Sequence, residues 1–365
     1  MPLTGGLIGL PNAGKSTLFR ALTAAPAEIA PYPFTTITPN VGVVRVPDPR
    51  LDTIARMTRP ERIVPATLEL VDIAGLVRNA HKGEGLGNQF LARIREVDAL
   101  LHVVRCFTGP AVHVEGGLDP RRDIGIVETE LLLADLASVE RARAQVTGRA
   151  RTGDRTAREE ESVLAGLEAH LAAGQPARAF NAGSFDGGAH IAARLHLLTA
   201  RPVVFVANLP EENPAGGPCF EAVRMSAAAA GSPAVGICGK LESELSELSD
   251  QDATQFLAAL GLSERGLPRL IRACYDALGL RTFFSIASGE VRAWTVPAGA
   301  RAPQAAGRIH TDMERGFIRA EVISYRDLVA SGSPAAARER GLARLEGKDY
   351  EVQDGDVITF RFSSS

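Results

Sequence analysis

Long apolar runs are missing from this chain of 365 residues. None approaches the roughly 20 residues that a membrane-spanning helix needs. The longest, such as residues 202–207, have the length of a strand. The first residues carry no basic stretch followed by a long apolar one, so no secretory leader is expected. Cysteine is scarce. Cys106, Cys219, Cys238 and Cys274 lie far apart and form no C-x-x-C pair. That argues against a disulfide framework or a zinc site and for a reducing, cytoplasmic home. Charge of one sign is lacking too. Forty basic against 43 acidic residues give a net charge of −3, which excludes a globally basic nucleic-acid binder but leaves room for a local patch. No internal repeat or low-complexity tract interrupts the chain. What remains is an ordinary globular composition, 45% hydrophobic and 23% charged, at a length that suits two or three domains.

Short apolar runs at 7–10, 41–46, 67–73, 99–105, 203–207 and 234–238 read as strands. Most are apolar at nearly every position, as parallel strands covered on both faces must be. Helical patterns lie between them at 15–24, 88–96 and 268–278, the rhythm of a doubly wound α/β domain over residues 1–280. Residues 123–200 break that rhythm. Ile126, Leu131, Leu132, Leu136 and Val139 share one side of a first helix, and Val163, Leu164, Leu167 and Leu171 share one side of a second. With a polar turn at 147–154 between them, they predict an inserted antiparallel helical hairpin. Residues 281–365 read as a small α+β domain, with strands at 283–286, 291–296, 320–323 and 357–362 and turns at 287–290 and 353–356.

The chemistry begins at Gly9-Leu10-Pro11-Asn12-Ala13-Gly14-Lys15-Ser16-Thr17, set between a strand and a helix. This is the phosphate-binding loop in the context it requires. Its amides wrap the phosphates and the helix N-terminus adds a favourable dipole. Lys15 would reach the β- and γ-phosphates and Ser16 would ligate Mg²⁺. Asp72-Ile73-Ala74-Gly75 ends an apolar strand. There the Asp would hold the Mg²⁺ shell through water, and the Gly N–H would sense the γ-phosphate. Thr35 and Thr36 lie where a first switch loop belongs, and a threonine there completes Mg²⁺ coordination when triphosphate is bound. Gly83, Gly85 and Gly87 suit a second loop that orders around triphosphate or a partner.

Leu76 stands where Ras-like enzymes carry a water-orienting glutamine. It cannot hydrogen-bond a water, so another group must do so or the unaided enzyme is very slow. Asn208-Leu209-Pro210-Glu211 occupies the place of the guanine-reading Asn-Lys-x-Asp. Its lysine is lost to Leu209 and its carboxylate sits one methylene further out on Glu211. Asn208 keeps the groups to read a purine N7 and the N6 amine of adenine. Cys238 and Gly239 end the next strand and can present a backbone N–H to the base.

These motifs, with Tyr32-Pro-Phe-Thr-Thr-Ile37, His81-Lys-Gly-Glu-Gly-Leu-Gly87, Ala302-Pro-Gln-Ala-Ala-Gly307 and Leu345-Glu-Gly-Lys-Asp-Tyr350, closely resemble the Obg-like ATPase (YchF) family over essentially the whole length. The resemblance implies a P-loop G-domain with an inserted coiled coil and a C-terminal TGS (ubiquitin-like) domain. It also implies ATP preferred over GTP, Mg²⁺ dependence and association with the ribosome. It assigns the Mg²⁺ threonine to Thr36 and the base contacts to Asn208, Leu209 and Glu211. Pro210 and the Cys238-Gly239 pair depart from the family pattern and bear on nucleotide selectivity. His113, within the segment that matches the family's I-H-V, is the first candidate to orient the water, and His81 is the second. Asn12 matches the asparagine of cation-activated relatives, which adds K⁺ to the expected cofactors.

Residues 141–158 hold six arginines, Arg141, Arg143, Arg149, Arg151, Arg155 and Arg158, against Asp154 alone. Such a tip can grip ribosomal RNA phosphates, with the C-terminal domain as the competing surface. A monomer free of membranes is expected. Two other readings stay open: an Obg-type GTPase switch and a non-hydrolysing adaptor gated by nucleotide.

Overall fold

A computed structural model describes residues 3–23, 41–73, 86–109, 116–185 and 187–363. The strands are β1 (Leu3–Ile8), β2 (Val41–Arg45), β3 (Arg62–Val64), β4 (Thr67–Asp72), β5 (Ala99–Arg105), β6 (Val203–Asn208), β7 (Ala234–Ile237), β8 (Leu280–Ala287), β9 (Glu290–Pro297), β10 (Phe317–Ser324), β11 (Arg344–Glu346) and β12 (Asp356–Phe362). The helices used below are α1 (Lys15–Thr23), α2 (Pro49–Thr58), α3 (Leu86–Arg95), α4 (Pro120–Arg151), α5 (Arg155–Ala172), α6 (Gly188–Arg194), α7 (Pro218–Ala229), α8 (Gly239–Leu245), α9 (Asp250–Ala259), α10 (Gly266–Ala277) and α11 (Ala302–Ile309). They divide between two units, Met1–Val44 with Glu69–Ala273, and Arg45–Leu68 with Cys274–Ser365. Residues 45–68, read in sequence with the first domain, thus fold within the second unit.

The first unit is built on a six-stranded sheet in the order β2-β4-β1-β5-β6-β7. β1, β5, β6 and β7 run parallel, so their C-terminal ends gather on one edge. Every residue of β5 and β6 is buried, which explains why neither strand alternates polar with apolar. Ile8, Leu100, Phe205, Ile94 and Val127 meet in the core around them. Gly6 is needed in β1 because a Cβ there would meet Ile73 Cδ1 at 2.8 Å.

The hairpin is the expected one, with two changes. α4 runs through residue 151, so residues 147–151 are helix and only Thr152-Gly153-Asp154 turn. Asp119 caps α4 by accepting from the Arg122 N–H, and Asp154 caps α5 by accepting from the Ala157 N–H. Val139, Val146, Leu164, Leu167 and Leu171 form a core of its own. The second change concerns charge. Glu159, Glu160 and Glu161 follow directly after the arginine-rich segment on α5. Arg143 pairs with Glu161 and Glu168, and Arg155 pairs with Glu159. The strong basic excess of the sequence window is therefore partly neutralised, because α5 packs beside α4 and sets Glu161 and Glu168 against Arg143, while the helix itself brings Glu159 to Arg155, four residues away. At the base of the hairpin, buried Asp135 accepts from the Leu198 N–H, the Thr199 N–H and the Thr199 hydroxyl. These bonds tie α4 to the segment that leads into β6.

The second unit carries a sheet in the order β11-β10-β12-β8-β9-β3. The β8–β9 hairpin turns through Ser288 and Gly289, both at positive φ, the geometry that favours two-residue hairpin loops. Phe283, Phe317 and Phe360 pack with Ala302, Ala305 and Ala306 of α11. Arg50 of α2 bridges Asp48 and Asp354 within this unit, at 2.8 Å and 2.6 Å. Strands β3 and β11, three residues each, had no legible pattern in the sequence.

Candidate nucleotide site

The loop after β1 is held open by backbone geometry that only some residues accept. Gly9 and Gly14 have φ of 146° and 88°. A Cβ on Gly9 would lie 2.3 Å from the Val103 carbonyl, and one on Gly14 would lie 2.2 Å from Asn208 Nδ2. Both glycines are required by space as well as by φ. Asn12 also sits at positive φ, 62°, where asparagine is tolerated better than most residues. Ala13 is buried beneath the loop, and Ser16 and Thr17 are exposed on the first turn of α1.

Lys15 is only 6% exposed. Its Nζ donates to the Gly9 and Leu10 carbonyls at 3.0 and 2.8 Å. Burial lowers its pKa from 10.5 to about 8, partly opposed by the nearby Asp72 carboxylate. His102 is fully enclosed against the Phe205 ring. Burial first, and the Lys15 charge second, push its pKa down to about 3. It is a neutral core residue.

Asn208 joins three segments. Its Nδ2 donates to the Ala13 carbonyl at 3.0 Å, and its Oδ1 accepts from the Gly239 N–H at 3.1 Å. The phosphate loop, β6 and the turn after β7 are thereby locked in one register. Leu209 was expected at the base. Its side chain instead points into the core at 3% exposure, close enough to Gly236 that a Cβ there would meet Leu209 Cδ1 at 2.8 Å. A lysine stem can lie along a base, whereas leucine gains more by burial. Cys238 is also buried, and burial raises its thiol pKa. Glu211 stays exposed and pairs with Lys240.

One oxygen of Asp72, Oδ1, is buried without a hydrogen-bond partner among the described residues. A buried carboxylate oxygen needs a partner. A hydrated Mg²⁺ held with the Ser16 hydroxyl would supply one, and the all-oxygen donor set suits that ion. Thr36, Gly75, Leu76, His81 and His113 lie outside the described residues.

Two family models match this chain. Residues 4–152 match the 50S ribosome-binding GTPases, and residues 280–363 match the YchF-type GTPase C-terminal region, described as a protein of unknown function (DUF933). The curated "Ribosome-binding ATPase YchF" of Haemophilus influenzae is 51% identical over 360 residues, covering 98% of both chains. Its namesake in Bacillus subtilis is 47% identical over 367 residues, covering 100% of both.

The chain belongs to the YchF family.

The solved structure of the Schizosaccharomyces pombe YchF GTPase is 34% identical, with a TM-score of 0.88 over 98% of this chain and 97% of that one. A GTP-binding protein from Pyrococcus horikoshii, 19% identical with a TM-score of 0.63, shares the fold.

Several features of this YchF site had escaped the sequence. Arg105, at the end of β5, donates to the Asn12 carbonyl at 3.2 Å and lies over the Phe107 ring at 4.7 Å. An arginine closing a strand that is apolar apart from His102 was its only signal. Lys240 is placed opposite Glu211 by the fold alone. The reading against disulfides is corrected as well: Cys106 and Cys219 form one, leaving Cys238 and Cys274 free. A separation of 113 residues carries no sequence signature, and only the fold, which sets the residue after β5 beside the first turn of α7, brings the two together.

Proposed function

We propose that this chain binds and hydrolyses ATP in preference to GTP, with Mg²⁺, in association with the ribosome. The observation that carries the reading is the loop of residues 9–17, with Lys15 enclosed beneath it and Asn208 locking it to a turn that lacks the guanine-reading lysine and aspartate. The relatives' printed name, a ribosome-binding ATPase, supports the rest.

In this mechanism the loop amides and Lys15 hold the β- and γ-phosphates and withdraw charge as the terminal bond breaks. Ser16, Thr36 and, through water, Asp72 would hold Mg²⁺, which would supply charge neutralisation for the phosphates. Gly75 senses the γ-phosphate and His113 orients the attacking water, a task Leu76 cannot perform. A K⁺ beside Asn12 would stabilise charge between the β- and γ-phosphates. The C-terminal unit we assign as a TGS domain. The hairpin tip, where Arg149 and Arg151 are exposed, is the contact we assign to ribosomal RNA phosphates.

Hydrolysis measured with ATP and GTP, with and without ribosomal particles, in K⁺ and in Na⁺, tests this reading. ATP turnover should exceed GTP turnover and rise with ribosomes and with K⁺. Faster GTP hydrolysis would favour the switch, and no turnover under any condition would favour the adaptor.

Lys15 gives ATP binding a pH dependence of definite sign. Its free-state pKa is about 8, and phosphate charge beside it must raise that value. Below pH 8 the lysine is charged in both states and affinity should be flat. Above it, binding must take up a proton, so affinity should fall about tenfold per pH unit until the bound-state pKa is reached. Calorimetry at pH 9 in two buffers of different ionisation heat should show uptake of close to one proton. No uptake would show that Lys15 is already charged at pH 9 in the free protein and that burial does not lower its pKa to about 8.

A further inference from the structure

The edge of a bound purine must be read at the C-terminal ends of β6 and β7, and few groups there remain available. Asn208 already gives one N–H to Ala13 and accepts from Gly239. Leu209 and Cys238 are buried. The charged side chains exposed there are Glu211, Glu212 and Lys240, of which Glu211 and Lys240 form a pair, with side chains 40% and 66% exposed. They are bonded to each other, Lys240 Nζ to Glu211 Oε2, at 2.6 Å.

From this pair we infer that Lys240 is a specificity-determining residue: it holds one oxygen of the carboxylate that guanine would need and sets a positive charge against guanine's donors, and so tips selection toward adenine. The inference rests on the proposed reading of this site as a nucleotide site. Guanine presents two adjacent donors, N1–H and the N2 amine, and a free carboxylate accepts both. One Glu211 oxygen, Oε2, already carries the ammonium. Each carboxylate oxygen has two lone pairs, so guanine can reach both only by sharing Oε2 with the ammonium and setting one of its N–H donors against that charge. Adenine presents a donor, the N6 amine, beside an acceptor, N1. A carboxylate already carrying an ammonium offers the complement, one free oxygen and one remaining N–H. Selection of this kind works by penalising the wrong ligand as much as by rewarding the right one. The Lys240 ammonium takes the part that the sequence of the Asn208–Glu211 turn leaves unassigned, since that turn keeps a carboxylate yet belongs to a chain with ATPase relatives.

The test is the ratio of dissociation constants for GTP and ATP in the wild type, Lys240→Met and Lys240→Arg. An exposed ion pair is a weak barrier, so Lys240→Met should lower the GTP-to-ATP ratio by about threefold to tenfold, with GTP tightened and ATP weakened. Lys240→Arg keeps a cation on Glu211 and should keep the wild-type ratio. Lys240 is exposed and makes no core contact, so both variants should fold, which circular dichroism checks. An unchanged ratio in Lys240→Met, with ATP still preferred, overturns this inference and leaves the ATPase reading standing. A wild type that binds neither nucleotide, or binds GTP more tightly, overturns both.

Discussion

Lys15→Ala should weaken ATP binding by at least about a hundredfold and leave the unfolding temperature within a degree or two of wild type. The two halves of that expectation have separate causes. Among the described residues Lys15 reaches no acidic partner within hydrogen-bonding distance, and its Nζ donates to the Gly9 and Leu10 carbonyls. Its charge is held inside the loop at a desolvation cost, which is what lowers its pKa to about 8. A fall of that size corresponds to about 3 kcal/mol against the charged form. Alanine removes the cost together with two hydrogen bonds, and at about 1.5 kcal/mol each, the low end for charged bonds, the terms nearly cancel in the free protein. With phosphates bound there is no cancellation. The ammonium makes charge-assisted bonds to the β- and γ-oxygens, and losing two of them corresponds to a factor of about 10² to 10⁴. Binding measured by calorimetry beside thermal unfolding of the same sample separates the two effects. A folded variant with wild-type affinity would remove Lys15 from the site, and a large drop in unfolding temperature would make it a structural residue.

The sequence carried most of what lies close together along the chain. The phosphate loop is one contiguous segment whose glycines, asparagine and lysine each have a local reason, and each sits where its spacing implies. The parallel strands announced themselves by continuous apolar runs because both of their faces are covered. The hairpin was legible because two amphipathic helices joined by a short turn need no distant partner to be recognised. Helix ends were less certain. α4 continues five residues past the start of the expected turn, since arginine and alanine are good helix formers whatever their polarity.

What stayed hidden depends on which strand lies beside which. Leu209 reads as a base contact only while the Asn-Lys-x-Asp comparison is the guide. Once β6 pairs with β7 and Gly236 leaves room beside it, burial claims the side chain. Arg105 supports the phosphate loop across 93 residues, and Asn208 does so across 195. Lys240 meets Glu211 across 29. None of these spacings is a motif. Short β3 finds its partner in β9 more than 200 residues downstream, so its three residues show no period of their own.

The same blindness applies to the one covalent cross-link, whose removal should have the second large effect. Cys106 follows β5, where its N–H donates to the Asn208 carbonyl at 2.9 Å. Cys219 lies in the first turn of α7, with the two Cα atoms 5.6 Å apart, a separation that suits a disulfide. The bond closes a loop of 113 residues that contains the entire hairpin and β6. In the chain-entropy account, a closure of that length restricts the unfolded ensemble by about 4–5 kcal/mol. For a unit of this size that corresponds to about 10 °C in unfolding temperature. Protein purified without reductant should therefore unfold about 10 °C higher than the same protein after treatment with a dithiol. In denaturant, two thiols should titrate before reduction, Cys238 and Cys274, and four after it. Both free cysteines are buried in the folded state, so the folded protein should react slowly with thiol reagents in either form. Cys106→Ala should reproduce the reduced unfolding temperature and make it insensitive to dithiol, because the cross-link, and not the thiols, carries the stabilisation. Four titratable thiols in the unreduced, unfolded protein would show that Cys106 and Cys219 stand as neighbouring thiols, and the difference in unfolding temperature should then vanish.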